Sequence, residues 1–211
     1  MPNELLEKYI EDPKVLYIYE TGLQIYGLFE DVEDRDFLVI VTDDCDYENT
    51  YNGYNFTIVK IKDWFERVLD NSMIAWECAC LPKKYILKEH VKLLLQTDPL
   101  KLRKMYDARE KVVFSELRYD FDNGNTLTAQ KRLFGLIKYL VFANQIIENH
   151  KIVNYKIIGG FYKQMVDGTV CKEDDIILTY HTLVYQPLQL FKQNTDSILR
   201  SSKIKKIIQN G

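Results

Sequence analysis

Apolar residues fall into short dense runs in the first half of the chain and into long helical repeats in the second. Leu5, Leu6, Tyr9 and Ile10 mark one face of a short amphipathic helix over residues 4–10, stopped before Pro13. Residues 15–19, VLYIY, are β-rich and predict a strand that breaks at Thr21-Gly22. A short helical stretch is expected from Leu23 to Leu28, then an acidic loop to Arg35. Residues 37–41, FLVIV, are continuous, β-branched and apolar, as in a strand buried on both faces. Residues 43–55 are polar, with a turn signal at Asn52-Gly53, and residues 56–61, FTIVKI, alternate like a third strand. Asp63 is expected to cap a helix running to Leu69, and Ser72 one from Met73 to Leu81, ended by Pro82.

Beyond residues 88–98 the period changes. Asp98-Pro99 is an N-cap followed by proline at the first helical position, and predicts a long helix to about Tyr119. The stretch Asp122–Asn125 reads as a loop. Leu133, Leu136, Ile137, Leu140, Val141 and Ile147 then recur at helical spacing in a helix begun at Thr126 or Thr128. Residues 155–166 and 174–197 also look helical, Gly159-Gly160 is expected to kink or break the former, and SSKIKKIIQNG reads as a basic tail. The expected class is α+β: a small mixed sheet with helices, followed by a helical region. The expected domains are residues 1–97 and 98–211.

Composition removes several classes. With 46% hydrophobic and 28% charged residues, the 211-residue chain is not a disordered one. No apolar run reaches the roughly 18 residues of a membrane span, and the acidic N-terminus does not read as a signal peptide, so a cytoplasmic protein is expected. A net charge of −3 argues against general coating of nucleic acid. Cys45, Cys78, Cys80 and Cys171 lack zinc-site spacing and read as reduced thiols, and the scattered His90, His150 and His181 suggest no metal site. Neither a P-loop nor a hydrolase elbow is present.

The sharpest chemical feature is Asp34-Arg35-Asp36 running into FLVIV. Side chains two apart on a strand share a face, so Asp34 and Asp36 project together. Paired carboxylates repel unless a cation lies between them, and magnesium with bound phosphates suits hard oxygen ligands. Gly22, after the first strand, would let a ligand approach the backbone closely. The bland alternative is a solvated acidic loop. On the later helix, Lys131 and Lys138 lie two turns apart on one face and could reach phosphates together, or form a solvated basic face beside Arg132. Arg103, Lys104, Arg109 and Lys111 read as solvated, and Trp64 and Trp76 as core. Tyr26 either stacks on a base or packs inside.

The stretch ETGLQIYGLFEDVEDRDFLVIV resembles the core of the DNA polymerase β-like nucleotidyltransferase superfamily, and of its bacterial and phage branch in particular. That pattern has Gly-Ser after the first strand, Tyr-Gly-Leu soon after it, and Asp-x-Asp opening the second strand. Gly22, Tyr26-Gly27-Leu28 and Asp34-x-Asp36 occupy those places. The segments FTIVKIKDWFERVLDNSMIAWECACLP, with Asn71 and Glu77, and KRLFGLIKYLVFANQIIENHKIVNY look similar to the later strand and helices of that branch. The resemblance covers roughly residues 14–155.

It implies Mg2+-dependent transfer of a nucleoside monophosphate from a nucleoside triphosphate to an acceptor, whether RNA, protein or a small molecule. Asp34 and Asp36 would be the catalytic, metal-holding residues. Gly22, Leu23, Tyr26, Lys131 and Lys138 would be the nucleotide-binding ones. Two positions depart from the pattern. Leu23 replaces the serine, and the third strand offers Asn55, Thr57 and Lys60 but no third carboxylate, for which Asp63 or Glu77 are possible substitutes. A catalytically degenerate nucleotide-sensing or protein-binding module is the alternative, and an unrelated α/β domain a third.

Overall fold

The computed structural model describes residues 4–28, 35–42, 50–51, 54–167 and 188–198. The chain divides into two compact units, Met1–Leu95 with Asn154–Gly159, and Gln96–Val153 with Gly160–Gly211. The class is α+β, with a mixed sheet in the first unit and helices in the second.

The first unit holds α1 (Glu4–Glu11), β1 (Val15–Thr21), a 3-10 turn (Leu23–Tyr26), β2 (Arg35–Val41), β3 (Thr50–Tyr51), β4 (Tyr54–Lys60), α2 (Ile61–Leu69), α3 (Met73–Cys80), a second 3-10 turn (Lys83–Tyr85) and β5 (Ile86–Glu89). The sheet order is β3-β4-β2-β1-β5. Strands β2 and β4 are parallel, and the other pairs are antiparallel. The three strands expected from the sequence therefore lie side by side in one mixed sheet.

Each face of β2 has its own cover. Phe37, Val39 and Val41 share one face with Ile18 of β1 and Phe56 of β4, and α1 packs there through Leu6 and Tyr9. Tyr9 meets Phe56 edge to face, with centroids 5.1 Å apart. Lys88 of β5 donates to the carbonyls of Ile10 and Asp12 at 2.7 Å, satisfying acceptors at the end of α1. On the other face Tyr19 contacts Trp64 of α2, both wholly buried. Full burial of each large apolar side chain contributes about 1.5–3 kcal/mol, so the apolar centre of the sheet holds the strand ends in register.

Several boundaries differ from expectation. Strand β2 takes in Arg35 and Asp36 because both find strand partners, Tyr54 and Thr21. Strand β5, short and half-polar, exists because β1 supplies an edge. The cap of α2 is Lys60 rather than Asp63, which lies in the first helical turn, where a carboxylate favours the helix dipole. Ser72 does stand at the cap of α3, yet its hydroxyl makes no capping bond.

In the second unit α4 (Pro99–Asp122) and α5 (Thr126–Asn149) form an antiparallel pair. Asp98 caps α4 by accepting from the N–H groups of Leu100 and Lys101 at 3.1 and 3.0 Å. Arg132 of α5 donates to the buried Asp120 at 2.6 Å and to Glu116, and Tyr139 donates to the Leu102 carbonyl at 3.0 Å. Arg132 is thus spent on holding the two helices together. Arg103 is likewise not merely solvated: it pairs with Asp107 and donates to Thr195 of the helix over residues 188–198. Helix α6 (Lys156–Asp167) runs through Gly159-Gly160 without the expected break. A Cβ on Gly159 would fall 2.5 Å from the Tyr26 carbonyl oxygen, so close packing explains that glycine. The part of the expected helix over 174–197 that precedes residue 188, and the basic tail, lie outside the described residues.

Candidate functional site

The site is built where β1 ends and β2 begins. Thr21 closes β1 opposite Asp36, and Gly22 follows in a conformation, φ 90°, that side chains rarely adopt. A Cβ there would fall 2.5 Å from Asp36 Oδ2, so only glycine lets the backbone lie on that carboxylate. The turn then tightens: Gly27 N–H donates to the Gln24 carbonyl at 3.0 Å, Leu28 N–H to that of Leu23 at 3.2 Å, and Gly27 takes a left-handed conformation. Leu23 acts in this turn through its backbone.

Asp36 itself is half-buried. In the parallel register of β2 and β4 it lies beside Asn55, whose amide Nδ2 donates to Asp36 Oδ1 at 3.2 Å. The position next to the carboxylate on the third strand is thus held by a neutral amide. Asp34 lies among the residues outside the description.

Behind this carboxylate, on the opposite face of β2, the flanking Arg35 grips Glu20 of β1. Its Nε and Nη2 donate to the two carboxylate oxygens at 2.9 and 2.5 Å. Glu20 is 5% exposed, and the guanidinium also lies over the Phe37 and Tyr54 rings, 5.3 and 6.0 Å from their centroids. Hydrogen bonding to Glu20 raises the Arg35 pKa against the opposing effect of burial. The sequence reading missed this pair. Both residues are visible in the string, but only the antiparallel register of β1 and β2 sets them together.

Tyr26 packs inside. It is 4% exposed, and its hydroxyl donates to Glu77 Oε2 at 2.6 Å. Burial first, then the Glu77 carboxylate, push its pKa far up. Its ring is therefore core, not a surface for a base to stack on, which corrects the nucleotide-binding expectation for this residue. Tyr155 donates to the Glu77 backbone carbonyl at 2.6 Å, so the 3-10 turn, α3 and the segment before α6 are tied at one point. Glu77, a candidate third acid, is buried in this network, and Asp63, the other, is exposed on α2. Lys131 is exposed and Lys138 half-buried on α5, in the second unit. Trp64 and Trp76 are core, as expected.

A divalent cation would find few protein ligands at this point. Among the described residues no group of three or more His, Cys, Asp or Glu side chains is arranged to hold a metal. Asp36 supplies one hard carboxylate and Asn55 at most one neutral amide oxygen. This fits a cation shared with a ligand's phosphates, the usual setting for magnesium, and does not fit a cage of protein ligands. Among the described residues no helix is long and apolar enough to cross a membrane.

No protein-family model matches the chain, and no curated protein matches it significantly. Among solved structures, it is similar to a nucleotidyltransferase-like protein from Exiguobacterium sibiricum, at 14% identity and a TM-score of 0.38, covering 93% of this chain and 78% of that one. It is also similar to a spectinomycin adenyltransferase from Enterococcus faecialis crystallised with ATP and spectinomycin, at 13% identity and a TM-score of 0.40, covering 92% of this chain and 94% of that one.

Proposed function

We propose that this chain is a nucleotidyltransferase that moves a nucleoside monophosphate from a nucleoside triphosphate to a hydroxyl or phosphate acceptor, with Mg2+ as cofactor. One observation carries the reading: the bare backbone of Gly22 lies on the Asp36 carboxylate at the joined ends of β1 and β2. The positive-φ glycine brings the backbone N–H groups of the turn and the acid to one point, where a phosphate chain and its cation could meet both.

In this reading the acceptor oxygen attacks the α-phosphorus, a new P–O bond forms, the bond to the bridging α,β oxygen breaks, pyrophosphate leaves, and the proton of a hydroxyl acceptor passes to water. Asp36, with Asp34 two positions earlier, holds the cation, which when bound supplies charge neutralisation at the phosphates. Gly22 and Leu23 offer backbone N–H groups to the phosphate oxygens. Asn55 orients the Asp36 carboxylate through its amide, and the Glu20–Arg35 pair fixes the strand ends on which Gly22 and Asp36 stand. Lys131 and Lys138 of the helical domain, residues 98–211, are the further nucleotide-binding candidates that the resemblance implies. Catalysis of this kind is positioning and charge stabilisation.

A second reading is favoured by Asn55 and Leu23: a member of the same fold that has kept nucleotide recognition and lost transfer. One experiment separates the two. Wild type and Asp36→Ala are incubated with α-labelled nucleoside triphosphates and Mg2+, with total RNA, cell lysate or the protein alone as acceptor. Label incorporated by wild type and lost in a folded variant establishes transfer and names the base and acceptor class. Mg2+-dependent nucleotide binding without incorporation establishes the sensor. The absence of both transfer and binding removes the nucleotide reading.

A further inference from the structure

We infer that the outward face of α4 is a docking surface for single-stranded RNA. The inference stands apart from the Asp36 site and does not rest on the nucleotide reading. The way α4 sorts its charges carries it. Its acids are engaged within the helical unit: Asp107 pairs with Arg103, Glu110 accepts from the Tyr106 hydroxyl at 2.8 Å, and Glu116 and the buried Asp120 are both held by Arg132 of α5. Lys104, Lys111 and Arg118 are all exposed. They recur every seven residues, so they form one line along the helix, about 10 Å from each to the next. Lys104 and Lys111 make no ion pair among the described residues.

The same face exposes Val112 and Tyr119, 53% and 67% exposed, where the apolar residues of a helix ordinarily turn inward. Regular cations beside an exposed aromatic ring fit a polyanion that carries flat apolar groups. A single nucleic-acid strand is one: its phosphates meet the lysines and the arginine, and a base stacks on Tyr119. A duplex keeps its bases stacked on each other, and an anionic membrane asks for a broader apolar stripe than these two residues give. Asp122, the one exposed acid of α4, lies three residues from Tyr119 and offers an acceptor to a ribose 2′-hydroxyl, the group that separates RNA from DNA. The net charge of −3 does not oppose this, because the line of cations acts locally.

The test uses the full chain and the fluorescence anisotropy of a labelled single-stranded RNA of mixed sequence, about 20 nucleotides long, which exceeds the site size of one binding fold. DNA of the same sequence, the RNA duplex and anionic lipid vesicles are run beside it. With three phosphate contacts, affinity for the single RNA strand is expected to fall about twentyfold between about 50 and 200 mM salt. Lys104→Glu with Lys111→Glu should flatten that salt slope by about 1.4, two contacts' worth. Tyr119→Ala should weaken binding at least about fivefold. A control pair with the same charge change on exposed positions of the first unit, Lys62→Glu with Lys83→Glu, should leave the slope unchanged.

No binding of the single strand at the lower salt overturns the inference. So does an equal loss in the control pair, which would make the attraction a matter of net charge. Equal affinity for the DNA strand overturns the assignment to RNA, and equal affinity for the duplex overturns the role of Tyr119. Vesicle binding that the α4 lysine pair abolishes gives the face to a membrane instead. Every substituted side chain is exposed, and thermal melts check that the variants fold. Should one not fold, the preference of wild type for single-stranded RNA and its salt slope decide alone.

Discussion

Arg35 and Asp36 are neighbours on one strand, yet the two faces they occupy treat charge in opposite ways. On the face covered by α1, the nearly buried Glu20 is matched by a protein cation in a two-pronged contact, with aromatic rings beneath it. On the other face, Asp36 has an amide beside it and a glycine backbone over it, and no ion pair among the described residues. The first arrangement is complete and needs nothing more. The second leaves a half-buried carboxylate that no described neighbour pairs with in a salt bridge. Charge matched inside the protein stabilises structure, and charge left for an outside partner marks a place where a ligand can act.

Alkaline pH tests the comparison most strongly. Tyr19, on the Asp36 face, and Tyr26 and Tyr155, in the network beside it, all have pKa values raised, first by burial. A raised folded-state pKa means that their stabilisation is fully present below the unfolded value near pH 10 and lost as pH rises above it, by about 1.4 kcal/mol per group for each pH unit. Arg35, also raised, keeps its charge there, so the Glu20 pair survives. Urea melts from neutral pH to above pH 10, followed by tyrosinate absorbance in wild type and in single Tyr→Phe variants at residues 19, 26 and 155, are expected to show these three tyrosines ionising only together with unfolding. Ionisation of any of the three in the folded protein would break the comparison.

Arg35→Ala comes next. It strands the Glu20 carboxylate, whose side chain is 6% exposed, and since Arg35 is itself 35% exposed the expected loss is about 2–3 kcal/mol, below the full range for buried pairs. Denaturant midpoints measure it, and a loss under about 0.5 kcal/mol, the level of an ordinary surface change, would put Glu20 in the same class as Asp36.

Gly22→Ala is expected to cost about 1–2 kcal/mol, from its positive φ and the clash with Asp36 Oδ2, and to weaken nucleotide binding as well. Binding unchanged in the alanine variant would mean that the Gly22–Asp36 contact serves the fold alone. The smallest effect falls on the other partner of that contact. Asp36→Ala should alter stability by no more than about 0.5 kcal/mol while abolishing label transfer, because among the described residues the substitution removes one exposed 3.2 Å hydrogen bond. A large loss of stability in this variant would make Asp36 a structural acid.

Much of the fold was legible. The runs VLYIY and FLVIV and the alternation in FTIVKI each became a strand, and Asp98-Pro99 began α4 as a cap followed by proline should. Strand β5 was not legible, since its sequence carries no strand period and it forms only because β1 offers unpaired N–H and C=O groups. The site was legible in part. Gly22 and Asp36 stood out by type and spacing, whereas Tyr26 had two readings that sequence left level, and burial against Glu77 chose between them.

By itself the sequence determined where the chain changes period, which runs must be buried, and which short segment places a glycine and acids at the ends of successive strands. These are local properties, set by side-chain type and the repeat of helix or strand. Only the tertiary structure decided that Glu20 meets Arg35, that Asn55 stands beside Asp36, and that Tyr26 and Glu77 are spent on each other. Each of those contacts joins residues distant in the chain, and their pairing depends on strand order and register, which come from burial of the whole sheet rather than from any one segment.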